Sequence, residues 1–252
     1  MSERISRGLE SFNNTREFDE GEKVEFSDAE HEYCRSVLKL LNLEPGKYVC
    51  FHARDSKYGA LRHPDMFRDR GVNPDITEKH RAQLNRNMDF ADFFPTIHWL
   101  RTLGLKAVRL GADVEMTYEA NNLVDYASER DTFENPELLD IYLMAHARMF
   151  IGQNTGVQMQ SAAWSIPSVC VNWYPYAPFS KPTANTIICR NKRIKAKGVE
   201  LSEFNSRHVF DFMDWTLFYS ASEGIEVINN TPEEILDTVK RAFEREQRQQ
   251  AA

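Results

Sequence analysis

Two short segments concentrate residue types that bind charged groups. Phe51-His52-Ala53-Arg54-Asp55 closes a run of β-favouring residues, so His52, Arg54 and Asp55 fall at the carboxyl end of a predicted strand. Ligands of open α/β sheets sit outside those strand ends, and an arginine there can grip a phosphate, because guanidinium presents a planar fork to two oxygens at once. The plain alternative is a surface pair between Arg54 and Asp55 beside a strand-end histidine. The second segment, Phe150-Ile151-Gly152-Gln153-Asn154-Thr155-Gly156, runs from a predicted strand into a helix beginning near Val157. Its two glycines leave the backbone open. The helix N-terminus offers unpaired N–H groups and a positive dipole to an anion, of which phosphate is the natural guest. Here the plain alternative is that Thr155 caps the helix and Gly152 permits the turn. The segment matches neither GxGxxG nor GxxxxGKS, so neither a dinucleotide fingerprint nor a nucleoside-triphosphatase loop is indicated.

A third group, His80-Arg81 with Asn85-Arg86-Asn87-Met88-Asp89, lies further along. Arg86 and Asn87 could fold over a ligand at the first strand end, with Asp89 capping the helix that follows; the plain alternative, which the sequence favours, is a solvated charged loop with one capping Asp. Asp113-Val114-Glu115 resembles acidic pairs that hold a divalent cation, yet two acids in a loop are too common a pattern, and no metal ligand is assigned.

These segments need elements to position them. Ser27-Asp28-Ala29-Glu30 fits a capping box, and Tyr33, Val37, Leu40 and Leu41 recur at helical spacing, predicting a helix over 28–42 that Pro45-Gly46 terminates. Strands are predicted at 47–52, 106–110, 122–125, 148–151, 168–172 and 226–228, and helices from Phe90 to the stop at Gly104, over 136–146, over 157–164 and from Pro232 onward. Residues 53–88 form a charged excursion with almost no apolar period, a length that in a compact domain usually marks function. The alternation of strand and helix predicts an α/β fold: a Rossmann-like parallel sheet with helices on both faces. Residues 1–26 read as a flexible N-terminal segment, 27–247 as one Rossmann-like domain and 248–252 as a disordered tail.

The whole composition bounds the function. With 252 residues, 42% hydrophobic, the chain can bury a sizeable core, and no apolar run approaches the roughly 18 residues that cross a bilayer. The net charge of −7 disfavours nonspecific nucleic-acid binding and confines any polyanion contact to a local basic pocket. Four scattered cysteines and an opening segment without an apolar stretch predict a cytoplasmic protein.

The order of the pieces resembles the carboxyl-terminal halves of bacterial glycosyltransferases of surface polysaccharide synthesis. The matching segments are Tyr48-Val-Cys-Phe-His-Ala-Arg-Asp-Ser-Lys-Tyr58, Arg86-Asn87-Met88-Asp89, Val108-Arg-Leu-Gly111, Val124-Asp-Tyr-Ala127 and Leu139-Asp-Ile-Tyr-Leu143. They continue through Phe150 to Gly156, Pro167 to Trp173 and Ile228-Asn-Asn-Thr-Pro-Glu-Glu-Ile235. That family looks like a branch of the GT-B glycosyltransferases, distantly similar to fucosyltransferases with a His-x-Arg strand end and to heptosyltransferases with a Gly-x-x-x-Gly turn. The resemblance implies one half of a GT-B enzyme, which moves a sugar from a nucleotide-diphosphate-sugar donor to a glycan acceptor without metal or cofactor. It further implies that Arg54 contacts the donor diphosphate, that Asn154, Thr155 and Gly156 hold it from the other side, and that Gly111 and Asp125 lie near the nucleoside. The chain departs from relatives at Gln153-Asn154, where small hydroxyl residues are more usual, so the backbone there is the firmer phosphate contact. A GT-B enzyme needs two Rossmann-like domains, and this length holds little more than one, so a partner chain would supply an acceptor domain. The general base is then His52, Asp55 or a group on that other half. Two rivals are a noncatalytic nucleotide-sugar-binding subunit or sensor and a plain α/β scaffold.

Overall fold

The computed structural model describes residues 25–55, 57, 61, 85–174, 185–196, 199–200 and 225–250. Six strands form one parallel sheet: β1 (Tyr48–His52), β2 (Lys106–Arg109), β3 (Leu123–Val124), β4 (Met149–Gly152), β5 (Ser168–Trp173) and β6 (Thr186–Asn191), in the spatial order β3-β2-β1-β4-β5-β6. A small antiparallel sheet of β7 (Arg193–Ala196), β8 (Val199–Glu200) and β9 (Ile225–Ile228) follows, with β7 in the middle. The helices are α1 (Asp28–Leu40), α2 (Phe94–Thr102), α3 (Tyr126–Glu129), α4 (Pro136–Ala145), α5 (Gly156–Ala163) and α6 (Pro232–Gln250). Single 3-10 turns lie at Phe90–Phe93 and Arg130–Thr132.

Period-two alternation along β1 divides the core. Val49 and Phe51 pack with Ile97 and Leu100 of α2 and with Ile235, Val239 and Phe243 of α6 on one face. Tyr48 and Cys50 pack with Val37 and Leu38 of α1 and with Leu139, Tyr142 and Leu143 of α4 on the other. Every residue of β4 and β5 is buried, because central parallel strands are covered on both faces and read as unbroken apolar runs. Tyr48, fully buried, keeps its hydroxyl satisfied by donating to the Leu143 carbonyl at 2.8 Å.

Local chemistry sets the helix ends. Ser27 and Glu30 close a capping box on α1, and Asn42 at φ 54° supplies the left-handed turn that ends it at Leu40, two residues before the sequence expectation. Asp89 accepts from the Ala91 N–H at 2.8 Å, as its position suggests, but opens a 3-10 turn before α2 begins at Phe94 with Pro95 in its first turn. Thr231 and Glu234 cap α6 reciprocally, and this helix runs to Gln250, past the expected domain limit at 247. Phe26, expected in the lead-in segment, stacks on Trp164 with ring centroids 5.1 Å apart. β6 and β7 were not anticipated, although Thr186-Ile187-Ile188 carries the β-branched signature. His80, Arg81 and the rest of residues 1–24 and 62–84 lie outside the described residues. No described helix is long and apolar enough to cross a membrane.

Candidate functional site

The chain leaves β1 towards β2 and β3 on one side and returns to place β4 on the other, so the strand order reverses between β1 and β4. In doubly wound sheets such a reversal marks a crevice beyond the carboxyl ends of the two strands, where ligands bind. His52 pairs in register with Gly152 at its floor. A Cβ on Gly152 would lie 2.7 Å from the His52 carbonyl and 2.6 Å from the Phe150 ring, so only glycine lets the strands meet there. Both sequence-derived segments therefore converge on one rim.

Thr155 occupies the N-cap of α5 in an extended conformation (φ −132°, ψ 173°), yet its side chain makes no capping bond. Its hydroxyl instead lies 3.3 Å from His52 Nδ1. The amino end of α5 thus faces the crevice without a side-chain cap from Thr155, contrary to the reading of Thr155 as a simple capping residue. Burial, then Arg109 and Arg54, lower the His52 pKa to about 4, which keeps the imidazole neutral at pH 7. A neutral ring between two arginines is a positioning group for Thr155 and a weak base.

The Gln153 side chain, 1% exposed, acts as a strut within the fold: Oε1 accepts from the Arg54 N–H at 2.7 Å, and Nε2 donates to the Arg86 carbonyl at 2.6 Å. The amide binds the β1 exit to the segment around residue 86, using one of its two N–H donors and one lone pair of its oxygen. Arg86 Nη2 donates to the Asn154 carbonyl at 2.8 Å, and the Met88 N–H donates to the Arg54 carbonyl at 3.1 Å. Asn87, next to Arg86, lines the neighbouring cavity described below.

Like charges crowd this rim. Burial, then Arg86, lower the Arg54 pKa to about 10 against the opposing pull of Asp55. Lys192, between β6 and β7 and 6% exposed, is held at about 8 by burial, then Arg54 and Arg86, with Asp92 acting against them. Its Nζ donates to the carbonyls of Asn85 at 2.7 Å and Asn87 at 2.8 Å. Lys192 escaped the sequence reading because it belongs to the unanticipated β6–β7 junction; no local motif marks it. Arg86 disfavours the charge on Arg54, and both disfavour the charge on Lys192, so an anion among them is favoured.

On the β2 side of Arg54 lies a cavity of about 250 Å³, lined among others by Asp55, Asn87, Asp89, Phe90, Glu115 and Tyr118. Asp55 accepts from the N–H groups of Lys57 at 3.1 Å and Glu115 at 3.0 Å, tying the β1 exit to the loop after β2. Asp125 is not on the cavity wall. Its carboxylate, nearly buried, pairs with Arg109 at 3.2 Å and accepts from the Tyr118 N–H at 2.7 Å, so it braces the wall from behind. Gly111, at φ +148°, packs where a Cβ would come within 3.7 Å of the His52 ring, and it too supports the wall. Neither residue assigned to the nucleoside side presents a polar side-chain atom to the cavity.

No protein-family model matches the chain, and no curated protein matches it. Among solved structures it is similar to the glycosyl transferase family 9 protein from Veillonella parvula DSM 2008, at 12% identity and a TM-score of 0.50, over 93% of this chain and 57% of that one. The Rossmann-like α/β fold is shared with that glycosyltransferase, and this chain spans little more than half of its length.

Proposed function

We propose that this chain is the donor-binding part of a metal-independent glycosyltransferase that moves a sugar from a nucleotide-diphosphate sugar to a glycan acceptor, in surface polysaccharide synthesis. The observation that carries the reading is the convergence of Arg54, Arg86 and the 152–156 turn on the rim where the strand order reverses. The shared fold with a glycosyltransferase supports it. In this reading Arg54 and the amino end of α5 hold the diphosphate from two sides, and the cavity beside Asp55 and Tyr118 receives the nucleoside end of the donor. Cleavage of the glycosidic bond leaves negative charge on the departing diphosphate, and donors aimed at that charge stabilise the transition state more than the ground state. The acceptor hydroxyl must lose its proton to a base. With His52 neutral and weakly basic, and Asp55 engaged by two backbone N–H groups, an acceptor-bearing domain or partner chain is the better source of that base.

A thermal-shift panel of UDP-, GDP-, CDP- and ADP-linked sugars tests the pocket, because a ligand bound only by the folded state raises Tm. The bound sugar nucleotide then enters a hydrolysis and transfer assay. Arg54→Ala is expected to lower turnover by about two to three orders of magnitude, the usual cost of one aimed donor. Unchanged turnover would reject its role. Binding with no turnover under any acceptor condition would identify a noncatalytic nucleotide-sugar-binding subunit instead.

A further inference from the structure

Lys192 is the lysine that the fold buries among the described residues. Its N–H donates to the Trp173 carbonyl at 3.2 Å, anchoring it to the end of β5. Its Nζ reaches the two carbonyls that flank Arg86, those of Asn85 and Asn87. The charged groups around it are Arg54 after β1, Arg86 itself and Asp92 in the 3-10 turn before α2. Arg193, the next residue, turns to Glu234 of α6 at 3.8 Å. Two carbonyls can be satisfied by an uncharged amide, so a buried ammonium beside two guanidinium groups is costly for the clasp alone. A ligand carrying negative charge offsets that cost.

We infer that Lys192 is a positioning residue of the anion site: its ammonium clasps the backbone on both sides of Arg86, and its charge adds to the field that receives a bound diphosphate. The inference rests on the donor-binding reading above and deepens it. The clasp works together with the Gln153 strut, which holds the Arg86 carbonyl, so three consecutive carbonyls from Asn85 to Asn87 are fixed and Arg86 is left little freedom to swing away. An arginine held in this way binds with less ordering cost than a mobile one.

The test is calorimetry on the full chain with the same four classes of nucleotide-linked sugar, whose phosphodiester groups carry no titrating proton near neutral pH. Lys192 loses its proton around a pKa of about 8, whereas Arg54 does so nearer 10, so a window centred on the lower value isolates the lysine. Wild-type affinity is expected to fall as pH rises through this window, by up to about tenfold per unit. Lys192→Arg is expected to restore binding and remove the pH dependence, since its guanidinium stays charged. Lys192→Met is expected to bind about tenfold or more weakly at neutral pH, with a flat profile. If Lys192→Met does not fold, the comparison of wild type with Lys192→Arg decides alone. A flat wild-type profile, or undiminished binding by Lys192→Met, overturns the role of Lys192 and leaves the donor site standing. Failure of the wild type to bind any nucleotide-linked sugar overturns both.

Discussion

His52 illustrates how a residue type suited to acid–base chemistry is bent to another purpose by its surroundings. Packed against Gly111, touching the Thr155 hydroxyl and flanked by Arg54 and Arg109, it is held neutral. Its folded pKa of about 4 lies below the usual histidine value, so the unfolded chain binds the proton more readily. Stability is then full at neutral pH and falls as pH drops from about 6.5 towards the folded value, with a slope on the order of 1 kcal/mol per unit at most. Urea denaturation of wild type and His52→Gln across this acid range checks it: the variant is expected to lack that slope. Arg54 and the 152–156 turn were legible from sequence because guanidinium and glycine carry their chemistry locally. The strut role of Gln153 was not, since both its partners, Arg54 and Arg86, are remote in sequence and come together only through the fold.

At the scale of elements, a reciprocal pair of asparagines joins the end of β5 to the start of α6. The Asn172 N–H donates to Asn230 Oδ1 at 2.8 Å, the Asn230 N–H donates to Asn172 Oδ1 at 2.5 Å, and Asn230 Nδ2 reaches the Asn191 carbonyl at the end of β6. Asn172 and Asn230 are buried, and Asn172 sits at φ 49°, a conformation asparagine tolerates better than most residues. Asn230→Ala takes away the side-chain partner of the buried Asn172 N–H and of the Asn191 carbonyl, and is expected to cost about 1–3 kcal/mol in chemical denaturation. Because Lys192 follows Asn191 directly, the same substitution is expected to weaken ligand binding as well. The helices with capping boxes were readable because a cap is a contact over three residues, as at Ser27 and Glu30. β6 was not, because its pairing with β5 is broken by register shifts and its burial comes from α6, more than forty residues later in the chain.

For the whole molecule, a net charge of −7 surrounds a rim where Arg54, Arg86 and Lys192 gather. The overall field repels an anionic ligand while the local one attracts it, and added salt screens both. Since the local pair distances are shorter and partly buried, the attraction is the larger effect. Donor affinity is expected to fall several-fold as salt rises from about 0.05 to 0.5 M, roughly over the range where the Debye length drops below the width of the site; affinity rising with salt would mean that the long-range repulsion dominates. The parallel sheet itself was readable as alternating apolar runs, because strands covered on both faces leave little choice of residue. The division of labour between the two sides of Arg54 was not, since it depends on where Arg109 and Asp125 find each other.

Gly152 has a bearing on how selective such a crevice can be. Where β1 and β4 touch, no side chain intervenes between the His52 carbonyl and the neighbouring backbone. The spacing of the two strands there is therefore set by backbone and by the fully buried Phe150 ring, a gauge with little rotamer freedom. In the donor-binding reading proposed above, a guest would meet a stiff ruler there, and discrimination among guests of differing bulk would begin before any flexible group has had to choose.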